Sequence, residues 1–300
     1  MRDAFVKSLL EEAKKDPNLI LITGDLGFGV LDEFQQALPK QFINSGVNEQ
    51  AMMGMAAGIA STGKRVFVYS IGNFPTLRCI EQIRNDVALM NNPVVVVSVG
   101  AGYAYGSQGY THHALEDIAI LRAIPNIEVI VPTDPTETLK ITKYLAGSRK
   151  PAYLRLGKSN EPSIHPTEPE VVPGKFIKMS NGSNGTILTI GSVSKLALEA
   201  AAKLKEKGKD IAVYAAPYVS NLDIEKLKEI SLNGPIVTLE EHSYRGGFGS
   251  AILESVALNG ISAKVHLVAS NQNNLSQIGD QNFLREANGI TIESLTKPFI

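Results

Sequence analysis

The chain has 300 residues, of which 44% are hydrophobic and 20% are charged, and this length suits two domains of about 150 residues each. Its 29 basic and 30 acidic residues give a formal charge of -1, which argues against nucleic acid or an anionic membrane as a partner. The single cysteine, Cys79, cannot form an internal disulfide, and this favours a cytoplasmic location.

The first half of the chain alternates helical patterns with short hydrophobic runs. Helices are predicted at 3–15, 49–62, 79–91, 114–123 and 135–147, and strands at 19–23, 66–70, 94–99, 127–131 and 153–156. The strand segments are hydrophobic throughout, as in strands of a parallel sheet that are buried on both faces. Every apolar run is shorter than the roughly 18 residues of a membrane span, and the charged first helix does not resemble a signal peptide.

The second half repeats this alternation after a proline-rich segment that lacks periodicity. Strands are predicted at 186–190, 211–215, 236–240 and 265–268, and helices at 194–207, 224–230 and 247–258. Before them, Asn181-Gly182 and Asn184-Gly185 predict a tight turn or a hairpin. The predicted fold is therefore α/β, with two consecutive domains that each contain a mostly parallel sheet flanked by helices.

The segment from Asn44 to Ser61 is the first candidate for a functional motif. Asn48 is a plausible N-cap, which places Glu49 in the first helical turn, where the helix dipole stabilises a carboxylate. A core helix with an acidic residue near its N-terminus would also explain the positions of Asn48 and Glu49. One side of the helix is nearly bare, however, and such a side permits close approach of another element; it consists of Gly54, Ala57, Gly58 and Ser61.

A glycine-rich loop follows the predicted strand 94–99 and carries the adjacent pair His112-His113. Its glycines do not have the spacing of a dinucleotide-binding fingerprint. Adjacent histidines rarely point the same way, and acidic or cysteine ligands are not suitably spaced, so we predict no metal site here. Hydrogen bonding or proton transfer by one histidine is favoured, with a helix-capping loop histidine as the alternative.

Two further strand ends carry polar residues. Asp25 lies in the glycine-rich segment 23–29, which is typical either of a ligand-binding loop or of a simple turn. The segment 239–250 contains two acids beside His242. This cluster suggests catalysis, but charged clusters at strand ends are common in packing, which we favour here.

Taken in chain order, these segments resemble the transketolase family of thiamine diphosphate enzymes. The matching segments are Gly24-Asp25-Leu26, 46–52, 109–113, 125–129, 132–134, 239–241 and 246–249. The resemblance implies that residues 1–157 form the pyrimidine-binding domain, 158–175 a linker and 176–300 the family's C-terminal domain. It also implies thiamine diphosphate and Mg²⁺ as cofactors.

One family motif has no counterpart in this sequence. Family members bind the diphosphate through Mg²⁺ on a domain marked by Gly-Asp-Gly and a later Asn, and no such pair occurs here. The resemblance therefore implies a partner, an N-terminal transketolase-like subunit that carries this domain and the Mg²⁺ ligands, within an α2β2 heterotetramer. The bare side of the helix after Glu49 is expected to lie at that interface.

The resemblance also assigns roles to individual residues. Glu49 occupies the position of the carboxylate that hydrogen-bonds to N1′ of the pyrimidine and stabilises its imino tautomer. Asp25 and Phe74 are further candidates for cofactor contacts. His112 matches a histidine of the substrate pocket, which hydrogen-bonds to the donor or transfers its proton, so Glu49 and His112 are the predicted catalytic groups.

The residues that correspond to the family's substrate pocket depart from the family pattern. Gln108 stands where an Asp usually reads the donor's stereochemistry, and Gly100 stands where a histidine contacts phosphate. His113 is a further candidate for a substrate contact, and Lys158 falls near a phosphate-binding arginine, for which Arg155 is the competing candidate. These departures suggest a small sugar donor other than the usual pentose phosphates, such as a nucleotide-linked or unphosphorylated sugar.

The expected activity is transfer of a two-carbon ketol unit from a ketose to an aldehyde. One alternative is the β chain of a 2-oxo acid dehydrogenase or a relative of deoxyxylulose phosphate synthase, which release carbon dioxide from a 2-oxo acid. Another is a scaffold subunit that keeps the fold without the chemistry.

Overall fold

The computed structural model describes residues 1–165, 167–273 and 275–300, so Pro166 of the predicted linker lies outside the described residues. Two β-sheets follow each other along the chain, and helices flank both of them. The prediction of two α/β domains is confirmed. Within the described part of the chain, no helix has both the length and the apolar character that crossing a bilayer requires.

The first domain is built on a six-stranded, entirely parallel sheet. In chain order its strands are β1 (Leu19–Thr23), β2 (Phe42–Asn44), β3 (Arg65–Ile71), β4 (Val94–Val99), β5 (Glu128–Ile130) and β6 (Ala152–Leu156). Their order across the sheet is β2-β1-β3-β4-β6-β5. The helices are α1 (Arg2–Ala13), α2 (Asp32–Ala37), α3 (Glu49–Ser61), α4 (Ile80–Gln82), α5 (Asp117–Arg122) and α6 (Pro135–Gly147).

Two of the predicted helices differ from the observed ones. The helix predicted at 79–91 begins as α4 and continues as a π-helical segment, Ile83–Leu89. The helix predicted at 114–123 begins only at Asp117, because Ala114 is engaged in a β-bridge with Gly102. The loop that carries the paired histidines is thereby longer than predicted.

The central strands have buried side chains on both faces. On β4, Val94 and Val96 pack into one hydrophobic cluster, whereas Val95 and Val97 pack into another. Successive residues of a strand point to opposite faces, so a continuous hydrophobic run supplies the core on both sides of the sheet. This is why the strands were recognisable from the sequence.

The second domain has a five-stranded sheet in the order β11-β10-β8-β9-β7. Its strands are β7 (Ile177–Ser180), β8 (Thr186–Thr189), β9 (Ala212–Ala215), β10 (Ile236–Ser243) and β11 (Val265–Ser270), and its helices are α7 (Lys195–Glu206), α8 (Ile224–Ser231), α9 (Phe248–Leu258), α10 (Gln281–Ala287) and α11 (Ile292–Thr296). All pairs are parallel except β7 with β9. The hairpin alternative at 181–185 is therefore wrong, because β7 pairs with β9 and not with β8.

A buried group of charged side chains joins the two domains, and we call it the domain junction: Asp117, Arg155, Glu240, Glu241 and His242. The Arg155 guanidinium donates to Asp117 Oδ2 at 2.7 Å and to the backbone oxygen of Glu241 at 3.1 Å. Glu240 accepts hydrogen bonds from two backbone N–H groups at the start of α9, at 2.7 and 2.8 Å. Glu241 and His242 thus contact the first domain, since they accept hydrogen bonds from the backbone N–H groups of Tyr103 and Ala119, whereas Glu240 anchors the start of α9 within the second domain.

Candidate functional site

The predicted site residues gather where the parallel strands of the first sheet end. Asp25 lies just beyond β1, and Glu49 begins the helix that follows β2. Glycines follow the ends of β3, β4 and β6; they are Gly72, Gly100 and Gly157. The carboxyl ends of strands in an open α/β sheet are where such folds bind ligands, so this edge is the candidate active site.

Glu49 lies at the N-terminus of α3 and is almost completely buried. Asn48 occupies the N-cap position, although its side chain makes no capping hydrogen bond. The Glu49 side chain is 5% exposed, and its Oε2 accepts a hydrogen bond from Nη1 of Arg78 at 2.6 Å. The carboxylate is therefore held in a nearly dry position by a cation.

Arg78 connects Glu49 to the aromatic side of the site. Its guanidinium carbon lies 4.9 Å from the centre of the Phe74 ring, and its side chain is 49% exposed. The imidazole of His112 contacts the same Phe74 ring edge to face, with 5.3 Å between ring centres. Arg78 thus joins Glu49 to Phe74, and Phe74 joins His112 to them, although no pattern in the sequence pointed to Arg78.

Asp25 orders the loop that leads towards Glu49. Its backbone has a φ of 57°, in the left-handed region. Asn44 Oδ1 accepts hydrogen bonds from the backbone N–H groups of Asp25 and Gly46, both at 3.0 Å, and Asn44 Nδ2 donates to Asp25 Oδ1 at 3.1 Å. These contacts tie the loop after β1 to the loop after β2.

The two adjacent histidines lie in different environments. His112 is half-buried beside Phe74, and its Nδ1 lies 3.0 Å from the hydroxyl of Thr111. His113 is 2% exposed, and its ring packs against Tyr103 and Tyr110. Burial lowers the pKa of His113. The geometry therefore gives His113 a packing role, whereas His112 remains accessible at the site.

The candidates for substrate contact also separate by burial. Gln108 is exposed in the short helical turn Gly106–Gln108, and Lys158 is exposed with its ammonium 5.0 Å from the centre of the Tyr105 ring. Arg155 is 2% exposed and committed to the domain junction. Of the two competing cations, Lys158 is thus the one that is accessible from solvent.

Tyr105 fills the space beside Gly100. Gly100 has a φ of +93°, and a Cβ at this position would overlap the Tyr105 ring. The absence of a side chain at Gly100 therefore makes room for an aromatic ring from the following loop. Tyr105 was missed in the sequence because it lies five positions away, where no local pattern links it to Gly100.

No group of three or more His, Cys, Asp or Glu side chains is arranged to hold a metal ion within residues 1–165, 167–273 and 275–300. The Mg²⁺ ligands that the resemblance implies thus remain a prediction about another polypeptide.

Comparison with known proteins shows which family the chain resembles. The pyrimidine binding domain of transketolase matches residues 1–163, and the transketolase C-terminal domain matches residues 174–291. The chain is 34% identical to one of the subunits of apulose-4-phosphate transketolase from Phocaeicola vulgatus, covering 88% of this chain and 86% of that protein. It is 36% identical to a putative transketolase C-terminal section of Methanocaldococcus jannaschii, covering 99% and 94%.

A longer relative and the solved structures complete this comparison. The chain is 35% identical to 1-deoxy-D-xylulose-5-phosphate synthase of Carboxydothermus hydrogenoformans but spans only 42% of its length. A structure described as a split gene transketolase, inactive beta4 tetramer, has a TM-score of 0.89 at 32% identity, covering 99% of this chain and 96% of that one. Transketolase from Campylobacter jejuni shares the fold, with a TM-score of 0.80 at 21% identity over 99% of this chain and 45% of its own. This chain belongs to the transketolase family and comprises its pyrimidine-binding and C-terminal domains.

Proposed function

We propose that this chain is one subunit of a two-chain, thiamine diphosphate-dependent transketolase that transfers a two-carbon ketol unit from a ketose to an aldehyde. The relatives named as a transketolase subunit and as a C-terminal section have nearly the same extent as this chain, which supports the two-chain organisation. We propose the cytoplasm as its compartment, since the one cysteine is a free thiol.

The observation that carries this proposal is the shared environment of Glu49 and Phe74. An aminopyrimidine needs a carboxylate to accept a hydrogen bond and an aromatic face on which to stack. Arg78 offers this site a planar group with N–H donors, and that group is held by the Glu49 carboxylate and the Phe74 ring together. The residues present therefore fit the pyrimidine of the coenzyme.

Bound thiamine diphosphate supplies an electron sink for cleavage of a bond next to a carbonyl. Glu49 would hold a proton-bearing ring nitrogen by a hydrogen bond that is strengthened by the dry surroundings. His112 would hydrogen-bond to an oxygen of the donor sugar or accept its proton, since its imidazole is accessible beside Phe74. Asp25 would keep the preceding loop in place.

We propose a sugar phosphate as the substrate class. The Phocaeicola vulgatus relative is named for apulose 4-phosphate, and the exposed ammonium of Lys158 beside Tyr105 suits a phosphate group. Gln108 would contact a donor hydroxyl as a neutral amide. This assignment replaces the unphosphorylated or nucleotide-linked sugar that Gly100 and Gln108 suggested in the sequence.

The bare side of α3 supports a partner subunit at this edge of the molecule. A Cβ built on Gly54 or Gly58 would have no neighbour within 4 Å. Exposed apolar side chains include Val47 just before α3, Met55 within it and Leu89 of the π-helical segment, which contacts α3. We propose that the subunit with the diphosphate domain and Mg²⁺ ligands packs here in an α2β2 assembly. The similar structure described as an inactive beta4 tetramer is consistent with inactivity of this chain without a partner.

The test is a Glu49→Gln substitution in the chain assembled with its partner. We expect the rate of ketol transfer to fall at least about 100-fold, because the amide no longer supplies a charged acceptor. The exposed neighbour Glu81 provides the matched control, E81Q, which should keep the rate. A near-normal rate in E49Q would remove Glu49 from this role, and turnover by the isolated chain would contradict the two-chain proposal.

A second candidate reaction is that of the deoxyxylulose phosphate synthases, because the chain is 35% identical to one of them. Those enzymes would release carbon dioxide from pyruvate. The assembled protein can be given labelled pyruvate and, separately, a ketose phosphate with an aldehyde acceptor. Carbon dioxide without ketose cleavage would select the second candidate.

A further inference from the structure

One guanidinium occupies both surfaces that the proposed function assigns to the coenzyme's pyrimidine. Arg78 donates to Glu49 Oε2 at 2.6 Å and covers the Phe74 ring at 4.9 Å. The hydrogen bond joins residues 29 positions apart, so it depends on the folded arrangement of α3 and the segment after β3.

The guanidinium and the aminopyrimidine share the chemistry that this site recognises. Both are planar, both bear N–H donors in the plane, and both stack on an aromatic face. The two groups cannot occupy the same space. A pyrimidine that binds Glu49 Oε2 and the same face of Phe74 would displace the Arg78 side chain.

We propose that Arg78 occupies the pyrimidine position in the unassembled subunit and leaves it when the coenzyme binds. This inference rests on the proposed function. The Arg78 side chain is 49% exposed, so it can move into solvent, and a partly exposed ion pair contributes little that must be given up. Glu49 is 5% exposed and keeps a hydrogen-bond donor in either state, either Arg78 or a proton-bearing ring nitrogen of the pyrimidine. The exchange lowers the affinity of the lone subunit for the coenzyme and leaves the buried carboxylate hydrogen-bonded.

The experiment measures binding of thiamine to the isolated chain by isothermal titration calorimetry. Thiamine contains the pyrimidine and lacks the diphosphate, which the partner is proposed to hold. Arg78→Met removes the competing group, and we expect the dissociation constant to fall about threefold, because a larger fraction of the chain is then competent to bind. R78K, which keeps a charge near Glu49 but has no planar face, should show a smaller gain.

Arg84 offers the matched control, since it is exposed and its guanidinium donates to Asn85 at 2.8 Å. R84M should bind thiamine as the unaltered chain does. The double variant E49Q/R78M should lose the gain, because the pyrimidine then lacks its carboxylate. Circular dichroism of every variant verifies the fold.

The outcomes separate this inference from the proposed function. An R78M and an R78K chain that bind thiamine no more tightly than the unaltered chain overturn the role of Arg78, whereas the loss of activity in assembled E49Q would still support the proposed function. A gain in R78M that persists in E49Q/R78M also overturns the inference, and it counts against Glu49 as the pyrimidine carboxylate as well.

Discussion

The domain junction and the candidate active site both contain a buried carboxylate paired with an arginine, but the two pairs differ in exposure. At the junction, Asp117 and Arg155 have side chains that are 0% and 2% exposed. At the site, Glu49 is 5% exposed, whereas Arg78 is 49% exposed. Both members of the Asp117–Arg155 pair are buried, whereas in the Glu49–Arg78 pair the arginine is in contact with solvent.

This difference indicates what each pair can do. The Arg155 guanidinium also donates to the backbone oxygens of Ala114 and Glu241, so moving it would leave buried groups unsatisfied. Arg78 can leave Glu49 by rotating into water. The junction therefore fixes how the domains are arranged, while the site retains a group that another molecule can replace.

Asp117→Asn should have the largest effect, because it leaves the buried Arg155 cation without its counter-ion. We expect the free energy of unfolding to fall by about 3–5 kcal/mol, as measured by urea denaturation followed by circular dichroism. Lys195 and Glu199 form an exposed pair at 3.5 Å, and Glu199→Gln should leave the stability almost unchanged. Equal losses in D117N and E199Q would show that the junction is not held by this charge pair.

The pH dependence of stability tests the same junction, because burial raises the pKa of Glu240 to about 7 and lowers the pKa of His242 to about 4. Between about pH 6.5 and 4, only the unfolded chain protonates His242, so stability from this group is lost as the pH falls. Between about pH 4.5 and 7, only the folded chain protonates Glu240, so stability from this group is lost as the pH rises. The two contributions oppose each other over most of this range.

Glu240→Gln removes the contribution of Glu240 to the pH dependence of stability, so the opposing contribution of His242 should then dominate. Relative to the unaltered chain, its free energy of unfolding should increase by about 3 kcal/mol from pH 4.5 to 7, since each pKa unit corresponds to about 1.4 kcal/mol. Urea denaturation across this pH range provides the measurement. The exposed Glu254, which pairs with Arg122, offers the control E254Q, whose profile should parallel that of the unaltered chain. A parallel profile in E240Q would contradict the assignment.

Substitutions of the two adjacent histidines compare an accessible residue of the candidate active site with a buried residue that packs. His112→Asn should lower the rate of ketol transfer by the assembled enzyme about 100-fold while the chain keeps its stability. His113→Asn should instead lower the free energy of unfolding by about 1–2 kcal/mol, because the buried ring packs between two tyrosines. Rate assays and urea denaturation on both variants distinguish these outcomes. If H113N loses activity with unchanged stability, the packing role of His113 is wrong.

The smallest expected effect concerns the open face of α3. Gly58→Ala should raise the free energy of unfolding of the isolated chain by about 0.5–1 kcal/mol, because alanine favours the helix and the added Cβ meets no neighbour. If the partner packs on this face, G58A should also weaken subunit association in a calorimetric titration. Gly147 ends α6 with equally open surroundings, and G147A should leave association unchanged. Unaltered association in G58A would move the interface elsewhere.

Much of the fold could be predicted because its central strands are buried on both faces. The run Val94–Val99 is hydrophobic at nearly every position, and its shortness, its valines and the flanking Pro93 and Gly100 distinguish it from a buried helix. The strand Phe42–Asn44 and the helix Asp32–Ala37 were missed because each is too short for a periodic pattern. The hairpin at 181–185 was a local signal that the sheet overrode, since the partner of β7 lies about 35 positions further along the chain.

In the candidate site, the sequence predicts the position of a residue within its own helix or loop but not its contacts with distant residues. Glu49 begins a helix, and this could be inferred from the sequence. The contact with Arg78 could not, because 29 residues separate the two side chains. Arg155 and Lys158 are three positions apart and both are cations, and only their burial in the folded chain distinguishes a junction residue from an accessible one.

The two outermost strands of the first sheet, β2 and β5, have three residues each. Such short rims offer few free backbone groups, so another polypeptide cannot readily continue the sheet by strand addition. At the first domain, a partner of the proposed kind would then contact side chains on helices and loops. The same short rims protect this sheet from β-aggregation through its edges.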